Sequence, residues 1–194
     1  MKALVPFHNR VVAAFHLPGL ALCALLAFSA PLLALDQAKL DDLYNRLATA
    51  DADAASRIET EIMVEAAKSG SSSLDFLFRR GTEAMDLGDS AAAIEHLTAA
   101  IDHAPDYTEA YAFRAIAYFG AGDTGPALAD LAVVLQAEPR HFVAWSLLGA
   151  VLEETDQPER ALEAYRKAAA AHPHIAEVND AIERLTKQLE GRPL

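Results

Sequence analysis

The sequence predicts an all-α fold in which helical hairpins follow one another in series, and three observations carry that expectation. Pro105, Pro139 and Pro173 stand 34 residues apart. Two rows of small residues keep the same interval: Gly81, Ala115 and Gly149, and Ala93, Ala127 and Ala161. The composition is 53% hydrophobic but only 7% aromatic, and alanine, the best helix former, dominates it. A repeat of this length marks an array of small units, none of which buries its apolar face alone.

The chain opens with a segment that reads as an export signal, residues 1–34. Lys2 and Arg10 form a basic start, an apolar stretch is densest over residues 17–30, and Pro31-Leu32-Leu33-Ala34 precedes Asp36, the first acid. Ala34 is the expected last residue removed, with Ala30 second. A second reading is an uncleaved membrane anchor, because residues 11–35 carry no formal charge and are long enough to span a bilayer. Both readings put the folded part outside the cytoplasm, since the basic residues stay inside. Cys23 is the one cysteine, so a chain cut after it has no thiol for disulfides or metal. Leu22, where a small residue is wanted, argues against a lipid on Cys23.

Residues 36–73 lack the 34-residue signature. Leu40, Leu43, Tyr44 and Leu47 predict a short helix, and Ile58, Ile62, Met63 and Ala66 a longer one from about residue 53 to 69. Gly70-Ser71-Ser72-Ser73 is the break that follows. The expectation is a helical pair packed on the N-terminal end of the array; a tether over 36–50 is the alternative.

Three units follow: 74–107, 108–141 and 142–175. In each, a first helix carries the small residue at 81, 115 or 149, and a second carries the alanine at 93, 127 or 161. Large residues, Leu77, Tyr111 and Trp145 with Leu97, Leu131 and Tyr165, fill the space around that contact. Gly88-Asp89 and Gly122-Asp123 are turn signals, glycine ending one helix and aspartate capping the next. Asp156-Gln157-Pro158 does the same with proline opening the helix. The later prolines stop each second helix.

Residues 142–175 carry Trp145, Leu148, Gly149, Leu152, Ala161, Tyr165 and Pro173. In residues 108–141 the corresponding set is Tyr111, Arg114, Ala115, Tyr118, Ala127, Leu131 and Pro139, and in 74–107 it is Leu77, Arg80, Gly81, Ala84, Ala93, Leu97 and Pro105. This resembles the tetratricopeptide repeat (TPR) family, whose 34-residue pattern is W-x2-L-G-x2-Y, then A-x3-F, then P. The resemblance implies a right-handed α-solenoid of helical hairpins with a C-terminal capping helix. Residues 176–190 suit that helix, with Val178, Ile182, Leu185 and Leu189 on one face. Arginine replaces the usual leucine at 80 and 114. The resemblance implies that such an arginine pairs with an acid on the second helix, giving an expected Arg114–Asp130 pair and a weaker Arg80–His96 contact.

The resemblance also implies a concave groove lined by the first helices. Its expected residues are Phe78, Thr82, Met85 and Asp86, then Glu109, Ala112, Ile116 and Phe119, then Val143, Ser146, Ala150, Glu153 and Glu154. Such a groove is apolar in its middle and acidic at its far end, which suits a helix or extended peptide with apolar anchors and a Lys or Arg. Chaperone-binding members of the family hold a terminal carboxylate with Lys and Asn on these helices, and neither residue stands at the corresponding places.

Charge narrows the partners. Of the 16 basic residues 14 lie beyond residue 34, against all 28 acidic ones, a net charge of −14 that repels nucleic acid and anionic membranes. No nucleophile motif, phosphate loop or metal-ligand spacing is present, so neither enzyme activity nor a cofactor is expected. His103, His141 and the His172–His174 pair sit at successive inter-repeat corners on the order of 10 Å apart, too far for one metal to bridge, and His172 with His174 alone is a poor two-ligand site. Glu153, Glu154, Asp156 and Glu159 read as a solvated face. The leading functional expectation is a periplasmic adaptor for an envelope assembly or secretion pathway; the alternative is a holdase-like chaperone with broad apolar specificity.

Overall fold

The computed structural model describes residues 37–191. The expected export segment, residues 1–34, with Cys23 and both cleavage candidates, lies outside them. Among the described residues the fold is all-α. Helix α1 covers residues 37–47, followed by α2 (Ala52–Ala66), α3 (Ser72–Asp86), α4 (Ser90–His103), α5 (Thr108–Gly120), α6 (Thr124–Ala137), α7 (Phe142–Glu154), α8 (Pro158–Ala171) and α9 (Ala176–Glu190). Residues from Lys39 on form one unit, within which α3 to α9 pack in chain order, each on the next.

The hairpin turns follow from backbone chemistry. Gly88 and Gly122 adopt φ of 75° and 84°, a region that costs glycine nothing. The third turn places Asp156 there instead, at φ 55°. All three turns close the same way, with backbone N–H donation from Asp89 to Ala84 O (2.9 Å), Asp123 to Tyr118 O (2.8 Å) and Gln157 to Leu152 O (2.8 Å). The Asp89 carboxylate accepts from Ala92 N at 3.0 Å. Asp123, expected to cap α6 likewise, makes no side-chain cap. The residue three beyond it is Pro126, which has no N–H to give. Pro158 opens α8 as expected.

Each second helix ends two residues before its proline. Ala104, Glu138 and His172 have φ near −140° to −130° and ψ of 85°, 95° and 93°, because a following proline ring excludes the helical region. The proline carbonyls then accept from the next unit: Tyr111 Oη to Pro105 O (3.3 Å), Trp145 Nε1 to Pro139 O (2.8 Å) and Asn179 Nδ2 to Pro173 O (2.9 Å).

Within a hairpin the small residues set the helix separation. A Cβ added at Gly149 would meet Tyr165 Cε1 at 2.5 Å, and one at Gly81 would meet Leu97 Cγ at 2.6 Å. In the middle unit Ala115 packs in one cluster with Leu131. Ala93, Ala127 and Ala161 are fully buried on the second helices. The array ends on α9, which buries Val178, Ala181 and Leu185 against Leu152, Leu162 and Tyr165.

Helices α1 and α2 correct the expectation of an N-terminal cap. Leu43, Tyr44 and Leu47 of α1 and Ala55, Ile58 and Ile62 of α2 bury against Phe142 and Ala171, with Val143 and Ile175 beside them. The pair therefore seats on the corners of the last unit, not on α3. Each buried Leu or Ile contributes about 1.5–3 kcal/mol, so this docking is not marginal. Polar contacts select the place: Arg140 bonds Asp41 and lies 4.9 Å from the Tyr44 ring centroid, and His174 Nε2 donates to Ala50 O at 2.8 Å. One unit earlier, the residues in the register of Arg140, Phe142 and Val143 are Asp106, Thr108 and Glu109. That corner is acidic and would repel Asp41 and Asp42. The far end of the pair is held at the corner before α5, where Tyr107 Oη donates to Ala67 O at 2.7 Å. Helix α2, about 22 Å long at 1.5 Å per residue, thus runs along the corners from α9 back to α5.

Candidate functional site

The expected groove residues divide into two groups, and the division runs across the helices. The N-terminal halves of the first helices are used for packing. Phe78 is buried, edge-on to Phe113 at 4.9 Å and tilted against Tyr107 at 5.4 Å. Ala112 is buried in the cluster joining α5, α6 and α7. Val143 packs beneath α1 and α2. Glu109 is buried with its Oε2 3.4 Å from His141 Nε2. Phe78, Ala112 and Glu109 are withdrawn from the groove by the inter-repeat contacts that build the array, and Val143 is partly covered by the α1–α2 pair. Ser146 spends its hydroxyl on Phe142 O at 2.8 Å.

The C-terminal halves present the surface that remains. Register places Thr82, Ile116 and Ala150 in one row, all half-buried, and Met85, Phe119 and Glu153 in the next. Asp86 and Glu154 are exposed at the helix ends. Met85 and Phe119 each rest against buried clusters while keeping part of their surface in water. Glu153 was expected as an open acidic anchor, and the structure corrects this. Its carboxylate accepts from Arg184 Nη1 at 2.6 Å and Nη2 at 2.9 Å, and from Tyr165 Oη at 3.0 Å. The Arg184 guanidinium, with help from Tyr165, holds the Glu153 carboxyl below the ordinary carboxylate range. Burial, and then the hydrogen bond to the Glu153 carboxylate, push the Tyr165 phenol up. The exposed acids of the face are therefore Asp86 and Glu154.

The arginines separate in the same manner. Arg114 forms the expected pair, Nε to Asp130 Oδ2 and Nη2 to Asp130 Oδ1, each at 2.8 Å, and Nη1 adds a bond to Thr98 Oγ1 at 3.0 Å. Arg80, expected to approach His96, instead bonds Glu83 of its own helix at 3.4 Å in an exposed position. Among the described residues no helix lies over α3 as α4 lies over α5, and this side chain stays in water beside the nearest acid, three residues on.

The corner histidines have a role that residue spacing did not reveal. His141 Nδ1 accepts from Ala144 N at 3.1 Å and so caps α7; the proton must then sit on Nε2, facing Glu109. His172 Nδ1 accepts from His174 N at 3.3 Å while Nε2 faces Glu59 of α2 at 3.3 Å, and its ring stands edge-on to Phe142. Among the described residues no group of three or more His, Cys, Asp or Glu could hold a metal ion. The signal that could have found these roles is the N-cap position of His141, directly before an apolar run.

Comparison with known proteins agrees with this geometry. A family model described as tetratricopeptide repeat matches residues 84–150. A TPR repeat-containing protein of Rhizobium etli is 31% identical over 154 residues, spanning 79% of this chain and 76% of that protein. Among solved structures, the Sgt2 TPR domain from Aspergillus fumigatus superimposes with a TM-score of 0.59 at 25% identity, over 64% of this chain and 87% of that one. The first TPR of Spaghetti (RPAP3), bound to the HSP90 peptide SRMEEVD, gives a TM-score of 0.58 at 21% identity, over 61% of this chain and 94% of that one.

Proposed function

This chain belongs to the tetratricopeptide repeat family, and from that premise we propose that it is a non-enzymatic adaptor that holds a peptide or helix of another protein. The bound segment lies across the C-terminal halves of α3, α5 and α7. The observation that carries this reading is the group of partly exposed apolar side chains from two adjacent rows, Met85, Ile116 and Phe119, flanked by the exposed carboxylates Asp86 and Glu154. Apolar anchors gain affinity from the group, and a Lys or Arg at either end meets an acid. The RPAP3 domain in the comparison carries a peptide of HSP90. The groove positions here hold no Lys or Asn, so a partner with apolar and basic residues fits better than a chain-terminal carboxylate.

The compartment belongs to the same proposal. Lys2, Arg10 and the apolar stretch after them read as an export address, which puts the adaptor in the periplasm, in an envelope assembly or secretion pathway. No helix among the described residues is long and apolar enough to cross a membrane.

The test is crosslinking and capture from the cell envelope with the parent chain and with Phe119→Asp. The adaptor reading expects one stoichiometric partner that the variant loses while its circular dichroism matches the parent. Capture of many unfolded clients would favour a holdase. A partner retained unchanged by the variant would remove the groove from the mechanism.

A further inference from the structure

Every first helix after α3 shows the same face to the helix before it. At the register position of residues 110, 144 and 178 the side chain is Ala, Ala or Val with 0%, 1% and 2% exposure. At 117, 151 and 185 it is Ala, Val or Leu with 3%, 0% and 1%. These faces pack on α4, α6 and α8 respectively. The matching positions of α3 are Phe76, 50% exposed, and Glu83, whose side chain is 50% exposed. Helices α1 and α2 seat at the corners of the last unit, so among the described residues no helix covers this face. Beside it lies an open recess of about 700 Å³ lined by Ser71, Ser72, Ser73, Leu74, Phe76, Leu77 and His103.

We propose that this face of α3 is a docking site for one amphipathic helix of a partner protein, bearing an apolar stripe and a carboxylate, in the place that a preceding unit's second helix would hold. The structure displays that arrangement three times, since α4, α6 and α8 each fill the equivalent place. The charge follows from Arg79 and Arg80, which are exposed and share Glu83, at 3.7 Å and 3.4 Å. Arg79 stands between Glu83 and Asp75 one turn before it, so the basic group offered to an incoming helix is Arg80. At the register position of Arg80, Arg114 reaches across to Thr98 of the preceding helix at 3.0 Å, so an acid at the Thr98 position of an incoming helix would meet Arg80. Residues 1–34 contain no carboxylate and do not fit that requirement. A second copy carries the same net negative charge and is disfavoured at long range.

The site is independent of the groove, and its test keeps the two apart. The probe is a synthetic peptide of residues 88–106 with Thr98→Glu, a surrogate second helix, titrated by calorimetry into the full chain. Binding should weaken at least tenfold in Phe76→Asp and in Arg80→Glu, remain in Phe119→Asp, and return to Arg80→Glu when the peptide carries Thr98→Lys. Both variant positions are exposed, and matching thermal melts confirm their folding. Absence of binding to the parent, or equal binding to the parent and both variants, would overturn the proposal. So would sedimentation showing a parent dimer that Phe76→Asp dissociates, which would make a second copy the occupant.

Discussion

Arg114 on α5 and Asp130 on α6 meet through two bonds of 2.8 Å, and the third arm of the guanidinium reaches Thr98 on α4. One side chain thus ties three consecutive helices and spans the joint between two units. Both partners are largely withdrawn from water, with 14% and 7% of their side chains exposed. A pair of this kind is costly to break and cheap to replace, because the loss of one partner strands a charge while the loss of both strands nothing.

Asp130→Ala should therefore destabilise the fold by about 3–5 kcal/mol, read by urea denaturation. The double change Arg114→Leu with Asp130→Ala should recover most of that loss. The third unit already uses this solution, with Leu148 and Ala164 in the same register positions. A double variant as unstable as the single one would show that the pair adds more than mutual neutralisation.

Gly149→Ala should cost about 1–3 kcal/mol, the usual penalty for overpacking, since its methyl would lie 2.5–2.7 Å from Tyr165 ring atoms. Adding Tyr165→Leu recreates the Ala115–Leu131 pairing of the middle unit and should relieve much of the clash. The compensated variant also loses the Tyr165 bond to Glu153, so recovery in thermal melts should be partial.

Acid should loosen the tie between α7 and α9. The Glu153 carboxyl is depressed below its ordinary value of 4.5 by Arg184 and then Tyr165. A depressed acid contributes its stability above the unfolded value and loses it as pH falls through the folded one. The parent should accordingly be more stable than Glu153→Gln at pH 7, and the gap between their melting temperatures should shrink steadily below about pH 4.5. A gap that is constant with pH would mean that the charge of Glu153 contributes nothing.

The hairpin array was legible in the sequence because its determinants are local and repeated. A glycine at 88 or 122 closes a turn wherever the chain goes, and a proline at 105, 139 or 173 forces the preceding residue out of the helix. A small residue at 81, 115 or 149 faces a large one 16 residues later because both ride on the same hairpin. The Arg114–Asp130 pair, implied by the family resemblance, likewise lies within one hairpin.

The groove was only partly legible. The family resemblance assigns Phe78, Glu109, Ala112 and Val143 to a surface, yet whether they meet solvent depends on what the neighbouring units and the N-terminal pair place over them. Glu153 reads as an open acid until α9 brings Arg184 to it, 31 residues further along the chain.

Sequence by itself determined the repeat, the turns, the capping helix and the charge of this protein, since each follows from steric and helical rules acting within a few tens of residues. Tertiary structure alone decided where α1 and α2 settle, which half of the first helices faces water, and that one side of α3 has no helix over it among the described residues. Those outcomes turn on a competition between distant corners, Arg140 and Phe142 against Asp106 and Thr108, and such a competition is resolved only when the whole chain has folded.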